Sequence, residues 1–144
     1  MAAKKLFYWI LVVLWICLVV YLSTQNADDS SKVSEWFTAH IVSFLDYFGV
    51  TLPTGTIHSF LREAAHFIVH MILAFLMYTA CAVSYPEEQK GNLLVTILFC
   101  FILAMIDETI QCKAPGRSVE FIDYLLNLVG VQSGAILGIL LEKE

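Results

Sequence analysis

The N-terminal run of apolar residues sets the pattern that the rest of the chain repeats. Residues 6–22 (LFYWILVVLWICLVVYL) carry no charge and follow a basic pair, Lys4 and Lys5. At about 17 residues the run is at the short end for crossing a bilayer. It is still longer than the apolar stretch of a usual signal peptide, and no small-x-small cleavage site follows closely, so a retained transmembrane helix is expected. Residues 23–30 (STQNADDS) form a polar break. Over about 31–48, Val33, Trp36, Phe37, His40, Ile41, Phe44, Leu45 and Phe48 recur at i, i+3, i+4 and i+7, while Lys32, Glu35 and Asp46 fall elsewhere on the wheel. This spacing predicts an amphipathic helix, capped by Ser31 or Ser34 and ended by Gly49 and Pro53-Thr54-Gly55. Beside a membrane such a helix lies in the interface with its aromatic edge in lipid; packing against other helices is the alternative.

Three more apolar runs place spans at about 62–84, 92–111 and 120–141. The second is entered through Arg62 and Glu63. The third reaches full length only by including Asp107, Glu108 and Gln111, and the fourth contains Asp123, Asn127 and Gln132. Polar turns at Pro86 to Gly91 and at Lys113 to Arg117 separate them. The pattern predicts an all-α polytopic membrane protein, with about four transmembrane helices plus one amphipathic interfacial helix, in a single domain over 1–144.

Composition narrows the class. The chain is 59% hydrophobic and 15% charged, whereas a soluble domain is about half apolar and a quarter charged. Its mean hydropathy of +0.77 leaves too little polar surface to cover a globule in water. A net charge of −5 and a pI near 5.2 exclude a nucleic-acid partner, which needs clustered Lys and Arg. Cys17, Cys81, Cys100 and Cys112 have no CxxC or metal-type spacing and read as small hydrophobic filler.

Four spans put both termini on one side, and Lys4 and Lys5 assign that side to the cytoplasm. Lys90 and Lys143 agree with this choice, while Lys32, Arg62, Lys113 and Arg117 oppose it. Arg62 and Arg117 count for less because each sits beside carboxylates. In either orientation, the start of span two, the end of span three and the start of span four share one face of the bilayer. Arg62, Glu63, His66, Asp107, Glu108, Gln111, Arg117, Asp123 and Asn127 gather there.

A charge near the bilayer centre costs roughly 2.5–3.5 kcal/mol, and less at the interface. Simple anchoring explains one or two such groups but not sets on three helices. Arg62, His66 and His70 stack on one helical face. Glu63, His66 and His70 also give E-x-x-H and H-x-x-x-H spacings that can serve metal ligands, together with Asp107 and Glu108. No complete ligand motif is present, so no metal and no cofactor are expected. His70 reads as a neutral imidazole bonding across helices. Asp107 and Gln111 share a face, with Glu108 about 100° away. These acids are candidates for acid–base chemistry, or they pair with Arg62 and Arg117. Asp123 and Asn127 are four apart, and Gly130, Gly134 and Gly138 continue their stripe as a row that lets another helix approach closely.

Taken together, these residues resemble the VanZ-like family of bacterial membrane proteins. The matching pieces are R-E-A-A-H-F (Arg62 to Phe67), D-E-T-I-Q (Asp107 to Gln111), P-G-R (Pro115 to Arg117) and D-Y-L-L-N-L-V-G (Asp123 to Gly130) with Gly134. Ser23-Thr24-Gln25 after span one also fits, while Cys112-Lys113-Ala114 departs from the expected apolar spacer. The family takes its name from a teicoplanin-resistance protein. The resemblance therefore implies a bacterial cell-envelope role connected with glycopeptide susceptibility, and it supplies no reaction.

Two functions follow as expectations. In the first, a polar site at the outer face binds a lipid, a lipid-linked precursor or a lipoglycopeptide through Arg62, Gln111, Arg117, Asp123 and Asn127, the guanidinium groups matching phosphate or carboxylate. In the second, an embedded enzyme acts on an amphiphilic envelope substrate, with Glu63, Asp107 or Glu108 as acid or base and His66 assisting. A small transporter subunit is disfavoured because spans one and three carry almost no deep charge.

Overall fold

The computed structural model describes residues 2–50, 52–117 and 120–142. Lys143, which bore on sidedness, lies outside them, as does the side chain of Val33. The described residues form five helices: α1 (Ala2–Thr24), α2 (Ala27–Tyr47), α3 (Thr54–Ser84), α4 (Gln89–Gln111) and α5 (Phe121–Glu142). All except α2 are long and apolar enough to cross a membrane. Backbone polar groups cannot be left open in hydrocarbon, so uninterrupted helices are the form these apolar runs must take.

The boundaries depart from the sequence pattern in two places. The polar break after α1 is only Gln25 and Asn26, and α2 is capped by Asn26 rather than Ser31 or Ser34. The Asn26 side chain accepts the Asp29 N–H at 2.8 Å, and Asp28 and Asp29 in the first turn complement the helix dipole. The polarity of residues 26–30 thus reflects a helix start and not a loop. Gly49 does end α2: at φ 72° it supplies the left-handed residue that lets Gly49 and Val50 return their N–H groups to Asp46 and Leu45. Pro53, however, opens α3 instead of extending a turn. With 31 residues, α3 is about 46 Å long, well beyond the roughly 30 Å of a hydrocarbon core.

Helix α3 is the centre of the bundle. It packs against the other four helices, most extensively α5, and α4 also packs against α1 and α5. Leu73, Ala74, Met77, Ala80 and Cys81 of α3 meet Val12, Cys100 and Val131 in the apolar core. Lys5 Nζ donates to the Ser84 carbonyl at 3.0 Å, and Tyr78 donates to Glu142. The start of α1, the end of α3 and the end of α5 therefore share one end of the bundle. The end of α1, the start of α3, the end of α4 and the start of α5 form the other.

The glycine row fixes the α3–α5 contact. A Cβ on Gly130 would run into the Phe67 carbonyl, one on Gly134 into that of Met71, and one on Gly138 into the Tyr78 ring. Helix α2 packs on α3 with Thr38 buried, the alternative the sequence pattern allowed, and leaves Trp36, Phe37 and Phe44 exposed, with Phe48 at its C-terminal cap. Gly134→Ala is expected to lower stability by about 1–3 kcal/mol through overpacking. Gly55→Ala, which meets nothing within 4 Å, should not lower it. Thermal unfolding in detergent checks both, and equal midpoints for the two variants would contradict the contact.

Candidate functional site

At the end opposite the chain termini, polar side chains from four helices turn inward. Helical spacing explains the placement. Arg62, His66 and His70 recur every four residues along α3, Asp107 and Gln111 do so on α4, and Asp123 and Asn127 do so on α5. The glycine row then lays the α5 pair directly on the α3 stripe. His66, His70, Asp107, Glu108, Gln111, Asp123 and Asn127 are all buried.

His66 is at the centre. Its Nδ1 lies 3.2 Å from Asn127 Oδ1 and 3.6 Å from Glu108 Oε1, and its Nε2 lies 3.7 Å from Asp123 Oδ2. Asn127 Nδ2 donates to Glu108 Oε1 at 2.7 Å. The 100° offset between Asp107 and Glu108 gives each acid its own neighbours. Glu108 turns to α5 and His66, while Asp107 accepts from Ser23 of α1 and lies 3.7 Å from His70 Nε2. His70 Nδ1 lies 3.1 Å from the His66 carbonyl of its own helix.

The arginines are partnered otherwise than the sequence suggested. Arg62 pairs with Glu120 at 2.7 Å and reaches Asp123 at 3.9 Å; it does not pair with Asp107 or Glu108. Arg117 pairs with no carboxylate among the described residues. Its Nη2 donates to Gln111 Oε1 at 2.6 Å and its Nη1 to the Leu22 carbonyl at 3.3 Å. The reason is position: Arg117 sits in the α4–α5 loop above the last turn of α4, so Gln111 is nearer than the acids one turn deeper. Glu63 is half-buried and stays outside the cluster, because it is one residue off the stripe that His66 and Arg62 share. Ser23 and Glu120 join the network without having been singled out as site residues. Ser23 lies in the S-T-Q segment, which was a usable signal, whereas Glu120 stands before α5 without periodic support.

A cavity of about 210 Å³ opens beside this network. Its walls are Val19 and Leu22 of α1, Ser30 and Ser34 of α2, and Ala65 and Val69 of α3. Arg62, His66, His70, Asp107, Gln111 and Arg117 supply its polar lining. Glu108, Asp123 and Asn127 sit behind that lining.

A helical bundle with four helices long and apolar enough to span, a fifth helix and a buried polar cluster at one end defines a multi-pass membrane protein. The chain belongs to the VanZ/LLP1 family, whose model matches residues 7–142. No curated protein and no solved structure matches it.

Because Arg117 is held through Gln111 and Leu22, Arg117→Ala should cost about 1–2 kcal/mol, as loss of a charged hydrogen bond does. Lys113→Ala in the same loop should be near neutral. The double variant Arg117→Ala/Gln111→Ala should lose less than the sum of its parts, a coupling that a denaturation cycle measures.

Proposed function

We propose that this is a bacterial cell-envelope protein with both termini in the cytoplasm, whose cleft at the outer face binds the anionic headgroup of an amphiphile. Membrane lipid, a lipid-linked precursor and a lipoglycopeptide share that chemistry, and the last would connect the protein with teicoplanin susceptibility. The observation that carries the reading is that two guanidinium groups, Arg62 and Arg117, line one cavity whose walls are partly apolar. Guanidinium recognises phosphate and carboxylate bidentately, and the Val19, Leu22 and Val69 wall suits an alkyl chain. Arg62 is 40% exposed by side chain, so its pairing with Glu120 leaves donors free for a ligand.

A second reading is an enzyme acting on such an amphiphile. It is favoured by His66, which faces a carboxylate at each ring nitrogen, an arrangement suited to proton transfer. The two are separated by incubating purified protein with anionic and zwitterionic lipids and lipid-linked precursors. Retention without turnover supports binding, and product formation supports the enzyme. For the binding reading, Arg62→Ala and Arg117→Ala should each weaken retention of anionic lipid about tenfold or more, with little effect on zwitterionic lipid.

Orientation has its own test. Lys4, Lys5 and Lys90 mark the end opposite the cleft, and Cys112 is an exposed thiol at the cleft end. A membrane-impermeant maleimide should label Cys112 on intact cells and lose that label in Cys112→Ser. In the Cys112→Ser background, Glu88→Cys should label only after permeabilisation. The reverse pattern would invert the protein.

A further inference from the structure

The floor of the bundle holds more negative charge than its own cations answer. Asp107, Glu108 and Asp123 are 5%, 7% and 4% exposed. Arg62 comes within 3.9 Å of Asp123, but among the described residues no Lys or Arg reaches Asp107 or Glu108. Buried carboxylates of this kind require a partner, and bound cations are a common one. Donor atoms of His66, Asp107 and Glu108 all lie within 4.8 Å of one another.

A second observation points the same way. His70 is 1% exposed, and its Nε2, facing Asp107, has no hydrogen-bond partner among the described residues. The spacing is informative too. Within the set of His66, Asp107 and Glu108, His66 Nδ1 lies 3.6 Å from Glu108 Oε1. That is too long for a hydrogen bond, which closes to about 2.7–3.2 Å. It is near the roughly 3.4 Å that separates two ligands held about 2.1 Å from one ion.

We propose that His66, Asp107 and Glu108 bind a divalent transition-metal ion, with His70 Nε2, unpartnered among the described residues, set beside Asp107 at its edge. Mixed imidazole and carboxylate ligands select the zinc or manganese class over magnesium or calcium, which take oxygen ligands. The surroundings resemble the outer shell of such sites. Asp123 faces the far nitrogen of His66, where a carboxylate orients a ligating imidazole, and Ser23 holds Asp107. The inference does not depend on what the cleft binds.

The test uses the full-length protein in detergent, stripped with a chelator and titrated with Zn2+ and, separately, Mn2+. Calorimetry and elemental analysis give affinity and stoichiometry, and the Mn2+ electron-spin-echo spectrum reports nitrogen ligation. The expected result is one saturable ion per chain, a raised Tm and a nitrogen coupling. His66→Gln and Asp107→Asn should weaken binding by at least about 100-fold, Ser23→Ala by about tenfold, and Glu63→Gln not at all. If a ligand variant does not fold, the wild-type titration and its nitrogen coupling decide alone. Absence of saturable binding of either ion, a bound ion without nitrogen coupling, or affinity unchanged in His66→Gln and Asp107→Asn overturns the proposal.

Discussion

The close approach of α5 to α3 is the constraint on which the rest of the structure depends. At Gly130 and Gly134 the backbone of α5 rests against the carbonyls of Phe67 and Met71, and at Gly138 it rests against the Tyr78 ring. In lipid, helix association has no hydrophobic drive comparable to that in water, so close packing of small residues does much of the holding. That contact also sets distances one turn further on. Asn127 and Asp123 continue the glycine stripe toward the end of the bundle opposite the chain termini, and they meet His66 and Arg62 because the two backbones are already adjacent.

Helix α4 completes the arrangement from the other side. Its apolar stretch ends in Asp107 and Glu108, which would be costly if turned to lipid. Each finds a neighbour in a different direction: Ser23 and His70 for Asp107, Asn127 and His66 for Glu108. The α4–α5 loop is tied down in turn by Arg117, which links Gln111 of α4 to Leu22 of α1. Four helices and one loop thus meet through side-chain polarity at this end, while the opposite end is joined by Lys5 and Trp9 to Ser84 and by Tyr78 and Gln89 to Glu142.

Much of this was legible in the sequence, for identifiable reasons. Apolar run length gives the spans, because the bilayer fixes how many residues a helix needs. Alternating direction then assigns Arg62, Asp107 and Asp123 to one face without any knowledge of contacts, and the glycine spacing marks the packed side of α5. What was not legible depends on reach and on boundaries. Arg62 pairs with Glu120 and Arg117 with Gln111 because long side chains take the nearest acceptor in a loop whose path no periodicity encodes. The α2 cap moved to Asn26 because a polar stretch before a helix reads alike whether it is loop or first turn. Pro53-Thr54-Gly55 read as the end of the amphipathic helix because Pro and Gly mark turns, and the same Pro instead stands at the start of α3.

Helix α2 closes one side of the cleft with Ser30 and Ser34, and it packs in the bundle chiefly on α3. Its Ala27 N–H is also bonded to the Pro115 carbonyl, so its first residue is fixed to the α4–α5 loop while Trp36, Phe37 and Phe44 further along are exposed. That wall is therefore held at its start by the loop and along its length by α3, so a shift of the α4–α5 loop changes the width of the cleft as well as the position of Arg117.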